Sequence, residues 1–435
     1  MLSRLADIRG VELAAVCWSF LYFFCLLCGY YVLRPVRDEM GIQAGLGNLP
    51  WLFTATFVAM LAAIPVFGWV SSRFPRRRFL PYVYLFFVAN LLIFFVLFKQ
   101  QIALAATTKA FFVWVSVFNL FVISVFWSFM ADLYDTEQAR RLYGLIAAGG
   151  SAGAVTGPAL TTVLALPLGP VNLLLVSAGF LLVAAFCILR LTAWASAQVP
   201  GQQAKQEAPV GGGMFDGIAL VARSPYLLGI CAYVVLYSTL STFLYFEQQY
   251  IVKDTISSSA QRTSLFAGID LAVNTITLVL QLAFFSRFLR WFGLAGGLIA
   301  IPLFTTVGFL ALGLAPTLAV LVVFGVLRRA GEFAIGKPAR ETLFNIVSRD
   351  EKYKAKNFMD TAVYRGGDAA SGWAFHGLQE SLGLGLAAIA HIAVPLAAAW
   401  AAVGWWLARQ HARISARVHE APPAIAAPII EGQSG

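Results

Sequence analysis

Of the 435 residues, 60% are hydrophobic and 12% charged, about half the charged share of an ordinary soluble domain. This excludes a water-soluble globular protein, and apolar runs of about 20 residues without period-two alternation exclude a membrane barrel in favour of spanning helices. The net charge of +10 lies mostly in short segments beside apolar runs, which is a topology signal and argues against nucleic acid as a partner.

The predicted spans in chain order are 11–33, 51–71, 79–98, 111–131, 142–165 and 171–192, then 225–247, 263–285, 294–315, 318–347, 357–380 and 385–408. The first is longer than a signal-peptide core and runs into Arg34-Pro35-Val36-Arg37 without a small-residue cleavage site, so it stays as a span. Between the sixth and seventh spans lies a Gly/Gln/Pro-rich stretch, 199–213, and 217–223 reads as a short interfacial helix. The expected fold is an all-α membrane protein, twelve transmembrane helices in two six-helix bundles. Its parts are an N-terminal bundle (1–192), a cytoplasmic linker (193–215), a C-terminal bundle (216–414) and a disordered cytoplasmic tail (415–435).

With the amino terminus inside and Arg190 counted with the linker, inside segments carry twenty Lys and Arg against six outside, and five fall within spans. That asymmetry places both termini in the cytoplasm of a bacterial inner membrane. Cys17, Cys25, Cys28, Cys187 and Cys231 all fall in spans and read as small apolar residues. The four histidines are scattered, and no Walker lysine loop, HExxH or nucleophile elbow occurs. No enzyme activity, cofactor or metal is expected.

A charged side chain in lipid costs about 2.5 to 3.5 kcal/mol on insertion scales and is tolerated where it faces a cavity or a partner. Span ten carries Arg328, Arg329, Glu332, Lys337, Arg340 and Glu341. At 100° per residue Arg329, Glu332, Gly336 and Arg340 share one face, and Lys337 and Glu341 form an i,i+4 pair beside it. Span eight aligns Asp270, Asn274, Thr277 and Gln281 in a stripe, span eleven holds Asp360, Tyr364, Arg365 and Asp368, and span one ends in Arg34 and Arg37. Either these groups border an aqueous pocket or they neutralise one another between helices. In span five Gly149, Gly153 and Gly157 form a small-residue ridge suited to close packing.

The halves echo one another. Ser71-Ser72-Arg73-Phe74-Pro75-Arg76-Arg77-Arg78 after span two corresponds to Ser286-Arg287-Phe288-Leu289-Arg290 after span eight. The stretch 68–77 resembles the loop motif between helices two and three of the major facilitator superfamily, with Ser72 at the acidic position and Pro75 at the second glycine. The resemblance makes Arg73 and Arg77 gating candidates.

Three further segments resemble the ATP:ADP antiporter (TLC) family of nucleotide transporters. Tyr30-Tyr31-Val32-Leu33-Arg34-Pro35-Val36-Arg37-Asp38 is similar to that family's Asn-Tyr-x-x-Leu-Arg-Asp-x-Lys-Asp at the end of helix one, with Arg37 in place of the nucleotide-contacting lysine. Phe126-Trp127-Ser128-Phe129 with Glu137 to Gly144 resembles Phe-Trp-Gly-Phe and Glu-Ala-Lys-[Lys/Arg]-Phe-Tyr, with Gln138 inserted. Pro338-Ala339-Arg340-Glu341 with Lys352-Tyr353-Lys354-Ala355-Lys356 and Asp360 resembles Pro-x-[Lys/Arg]-Glu and Lys-Tyr-Lys-[Ala/Gly]-Lys-x-x-x-Asp. In two places the chain departs from the family: span four has no acid, and span seven has only Glu247 at its far end.

The resemblance implies a secondary carrier working by alternating access on an anionic metabolite, a nucleotide such as ATP or ADP by exchange. The expected binding residues are Arg34, Arg37, Arg329, Glu332, Arg340, Asp270 and Asn274. Coupling or gating candidates are Glu341, Asp360, Arg365 and Asp368, together with Arg73 and Arg77. The expected partners are a small anionic substrate and the lipid bilayer, and the protein is expected to be a monomer. The alternatives are a proton-coupled carrier of another solute, a peptide, drug-like compound or lipid precursor, and a non-transporting receptor.

Overall fold

The computed structural model describes residues 9–10, 12–73, 76–198, 220–347, 352, 355–356 and 358–420. Its N-terminal bundle consists of α1 (Leu13–Gln43), α2 (Leu49–Arg73), α3 (Arg76–Lys99), α4 (Leu104–Leu133), α5 (Thr136–Leu168) and α6 (Leu173–Gln198). The C-terminal bundle begins with α7 (Pro225–Thr255), α8 (Ser259–Ala283) and α9 (Phe285–Leu314). Its next two spans are composite: α10 joins Leu318–Gly331, a π segment Glu332–Gly336, Lys337–Thr342 and a 3-10 turn Leu343–Ile346, while α11 joins π segments Met359–Val363 and Gly377–Ser381 around Tyr364–His376. The last helix is α12 (Leu386–Glu420). Ten of these helices are individually long and apolar enough to cross a membrane. The other two spans, α10 and α11, are the ones interrupted by charges and π segments.

Each bundle has its own apolar core. One is built on α1 and α3 to α6, around Tyr22, Phe118, Phe126 and Phe129. The other is built on α7 to α12, around Tyr233, Phe246, Phe309 and Trp400. The glycine ridge of α5 packs on α1 as expected. A Cβ added at Gly149, Gly153 or Gly157 would strike the carbonyl oxygens of Phe20, Phe24 and Cys28 in turn, so no larger residue fits there. Before span nine, α9 begins with a short surface helix that turns at Gly293, where φ is +61°, a conformation that glycine adopts without steric cost.

α1 differs from the expectation that span one ends at 33. It continues through Pro35 to Gln43, so Arg34 and Arg37 are interior helical residues and not part of a following loop. Of the interfacial helix expected over 217–223, residues 220–223 are helical and the rest lies outside the described residues, as do most of the linker and the tail beyond 420.

The two bundles meet most tightly at the end away from the chain termini, called here the distal end. Ile42, Ala44, Leu46, Leu49 and Leu52, from the α1–α2 corner, pack into the C-terminal core. All the described hydrogen bonds, ion pairs and ring contacts between the bundles lie at this end or at mid-depth. None of those described joins the bundles at the end that carries the termini, so the interface is zipped on one side.

Candidate functional site

Charges concentrate where the bundles face each other, in two layers. The distal layer is fully paired. Arg262 of α8 donates from Nε and Nη2 to both oxygens of Glu39 on α1, at 2.7 Å each, a bidentate pair whose acid is wholly buried. A third nitrogen of Arg262 donates to the carbonyls of Ile256 and Ser257 just past the end of α7. Gln43 donates to Glu39 and to Ser259, and the Tyr245 hydroxyl of α7 donates to Asp38 at 3.0 Å. Asp38 also accepts from Arg37, at 2.7 and 3.1 Å, while Arg37 reaches Ser116 and lies over the Phe112 ring. On the α2–α11 side the Trp373 indole donates to Thr54 and packs edge-on against Trp51.

The mid-depth layer crosses the interface through Asp270 of α8. One of its carboxylate oxygens lies 2.7 Å from Arg329 of α10, and the other lies 3.5 Å from Arg34 of α1. Both arginines keep about a fifth of their side-chain surface open although they sit midway along spans, so they line the space between the bundles. Next to Asp270, Asn274 donates to the Ala154 carbonyl and faces the Tyr31 hydroxyl.

Deeper in the C-terminal bundle, Arg328 and Arg340 lie over one ring, that of Tyr237 on α7, at 5.9 and 5.5 Å from its centroid. Tyr237 stacks with Tyr364 of α11. Glu332 stands 3.7 Å from Arg340. Arg365 pairs with Asp368 at 3.4 Å, and Asp368 also accepts from Ser238 and Thr242.

The sequence-predicted residues are therefore brought together in part. Arg34, Arg329, Asp270 and Asn274 form one cluster, and Arg340 and Glu332 form another with Tyr237. Arg37 belongs to the distal layer. The single face expected for Arg329, Glu332, Gly336 and Arg340 is broken by the π segment Glu332–Gly336, whose wider turn advances the register so that Arg329 reaches α8 while Arg340 reaches α7. Likewise, the expected Lys337–Glu341 pair does not form: Lys337 is exposed and Glu341 binds Lys356 at 2.5 Å, drawing the α10–α11 connection against α10. Asp360 is exposed. The stripe on α8 divides, since Gln281 donates to the Phe333 carbonyl, away from Asp270. The side chains of Arg73 and Arg77, and residues 353–354 of the lysine-rich motif, lie outside the described residues.

Sequence reading passed over Glu39, Arg262, Tyr237 and Arg328 as site residues. Arg328 carried a signal, a charge inside a span. Glu39 and Arg262 read as loop charges because span one continues ten residues beyond its expected end and span eight begins four residues before its expected start.

Twelve spans in two bundles with a polar, paired interface between them define a multi-pass membrane transporter. The profile of the Major Facilitator Superfamily matches residues 19–336, and the chain belongs to that superfamily. No curated protein matches its sequence. Similar solved structures include the nucleoside transporter NupG (14% identity, TM-score 0.58, covering 92% of this chain and 99% of that one). The peptide transporter PepTSo of the POT family is similar at 13% identity and TM-score 0.64, with 92% and 98% covered. A bacterial homologue of the iron transporter ferroportin, in an inward-facing state, is similar at 13% identity and TM-score 0.64, with 91% and 98% covered. At these identities the likeness is one of fold.

Proposed function

We propose that this transporter carries an anionic metabolite by alternating access, and that the cargo, by the resemblance of its motifs, is a nucleotide moved by exchange. The observation that supports an anion is a charge excess at the interface and in the C-terminal bundle behind it. Arg34, Arg37, Arg328, Arg329 and Arg340 stand against Asp38, Asp270 and Glu332, which leaves two positive charges without a counter-ion among the described residues. The neighbouring groups do not cancel that excess: Arg365 with Asp368, and Lys337 and Lys356 with Glu341 and Asp360, are each neutral as sets. An uncompensated pair of cations in a low-dielectric interior is costly, and a bound anion removes the cost.

In this reading the distal layer opens and the terminal side closes as the bundles rock about the Arg34–Asp270–Arg329 bridge, with the termini on the cytoplasmic side of a bacterial inner membrane. The test is exchange of labelled ATP for ADP by the protein in liposomes, with Arg34→Gln and Arg340→Ala as variants. Loss of exchange with intact folding is expected. Full exchange by R340A refutes the site, and uptake that needs no counter-substrate but follows pH points to a proton-coupled carrier instead.

A further inference from the structure

Arg328 is in a position that packing alone does not account for. It is 4% exposed, yet among the described residues only Nη2 of its nitrogens has an acceptor, Ser241 Oγ at 3.0 Å, while Nε and Nη1 have none. Ser241 is itself fixed, because its hydroxyl donates to the Tyr237 carbonyl at 2.7 Å. The guanidinium is thus clamped on one edge and on one face, by Ser241 and the Tyr237 ring, with its remaining donors open. Arg340 approaches the same ring, and its Nη1 also lacks a hydrogen bond, the carboxylate of Glu332 standing off at 3.7 Å. Glu332 Oε2 is buried without a partner too. Two forks with unfilled donors and one loosely held acid are gathered in the core of a bundle where unfilled polar groups are expensive.

We propose that Arg328 and Arg340, held over Tyr237, form the seat for one dianionic phosphate group of the cargo, with Glu332 as the counter-ion that occupies Arg340 when the seat is empty. Phosphate suits the geometry because planar guanidinium forks bind its oxygens through paired N–H donors, and because two donors' charges match two negative charges. A neutral solute could accept from those donors but would leave the two positive charges uncompensated. The π segment contributes directly: Gly336, one turn on from Glu332, has no side chain, and the carboxylate already lies where its Cβ would be, which holds the acid along its own helix at 3.7 Å from Arg340 and leaves that guanidinium open to an incoming anion.

The inference rests on the anion reading above and adds to it a residue, Arg328, and a role for Glu332. The experiment is equilibrium binding to purified protein in lipid nanodiscs, with pyrophosphate and ATP as probes and adenosine as the uncharged control. R328Q is expected to weaken both phosphate probes at least about tenfold, the loss expected for charge-assisted hydrogen bonds, with R328K intermediate and adenosine unchanged. E332Q is expected to tighten the same probes several-fold, because the internal competitor is gone. A packing role for these residues would weaken binding in both variants or in neither. The seat is overturned if R328Q binds the phosphate probes as the wild type does, or if E332Q weakens them. If those results come with loss of binding in Arg34→Gln, the anion reading survives without this seat. If the wild type binds neither phosphate probe, both fall together. Y237F, which keeps the ring, is expected to bind like the wild type, and Y237L to bind more weakly; the opposite order would remove Tyr237 from the seat.

Discussion

At the distal end every charge that joins the bundles has its partner, and behind the mid-depth layer, inside the C-terminal bundle, the pairing runs short. Glu39 is filled by both prongs of Arg262, and Asp38 is filled by Arg37 and Tyr245. By contrast Arg328, Arg340 and Glu332 carry buried donors and acceptors with nothing to meet them. The difference separates two jobs within one molecule. Satisfied pairs define a state by holding two bodies in one register, whereas unsatisfied groups suit a binding site, since their free energy improves only when something else arrives. An alternating-access carrier requires both, a closed gate and an unfilled site.

The sharpest way to break the comparison is to remove half of a distal pair. Arg262→Ala leaves Glu39 buried and unpaired, and breaking a buried pair from one side costs about 3 to 5 kcal/mol. The bundles are expected to part at that end, which spin-label distances between the α1–α2 corner and the start of α8 would report as a longer population. The exchanged pair Glu39→Arg with Arg262→Glu should restore part of the short distance. An unchanged distance distribution in R262A would show that the apolar contacts of Leu46 and Leu49 alone hold the gate.

Glu247 sharpens the comparison from another side. It is wholly buried on α7, and neither carboxylate oxygen has a hydrogen-bond partner, yet it lies outside both charged layers. Glu247→Met should raise the thermal midpoint, by about 1 to 3 kcal/mol of stability, because an unfilled buried group is replaced by an apolar one of similar size. Transport is expected to persist. Loss of transport in a stabilised E247M protein would move Glu247 from packing into function.

Arg328→Met should act in the same direction but less, about 1 kcal/mol, because relief of the open donors is offset by loss of the contact with Tyr237. Here stability and activity separate, with a firmer protein that no longer carries its cargo. A variant that melts lower than the wild type would show that Arg328 is structural.

Helix count, the six-plus-six arrangement and the presence of charges inside spans eight, ten and eleven were legible in the sequence, because lipid imposes a length and a composition on every span and makes each exception visible. The side on which each charge emerges was not. A fixed 100° step fails across Glu332–Gly336, and no local signal in a run such as Glu-Phe-Ala-Ile-Gly announces a π turn. The Glu39–Arg262 pair was invisible for a different reason. Its members are 223 residues apart, and their meeting depends on how two bundles dock, which neither helix encodes alone.

The smallest expected effect lies at the aromatic seal beside the gate. Near the start of α2, Trp373 of α11 both donates to Thr54 and packs against Trp51. Trp373→Phe keeps a ring but removes the donor, and Trp373 is 38% exposed, so the loss should be at most about 1 kcal/mol, the scale of one partly solvated hydrogen bond. That would shift the distal distance distribution by a few-fold in population, against the much larger change in R262A. If W373F opened the distal end as fully as R262A, the gate would be set by the α2–α11 contact. The ion pair between α1 and α8 would then be a consequence of closure and not its cause.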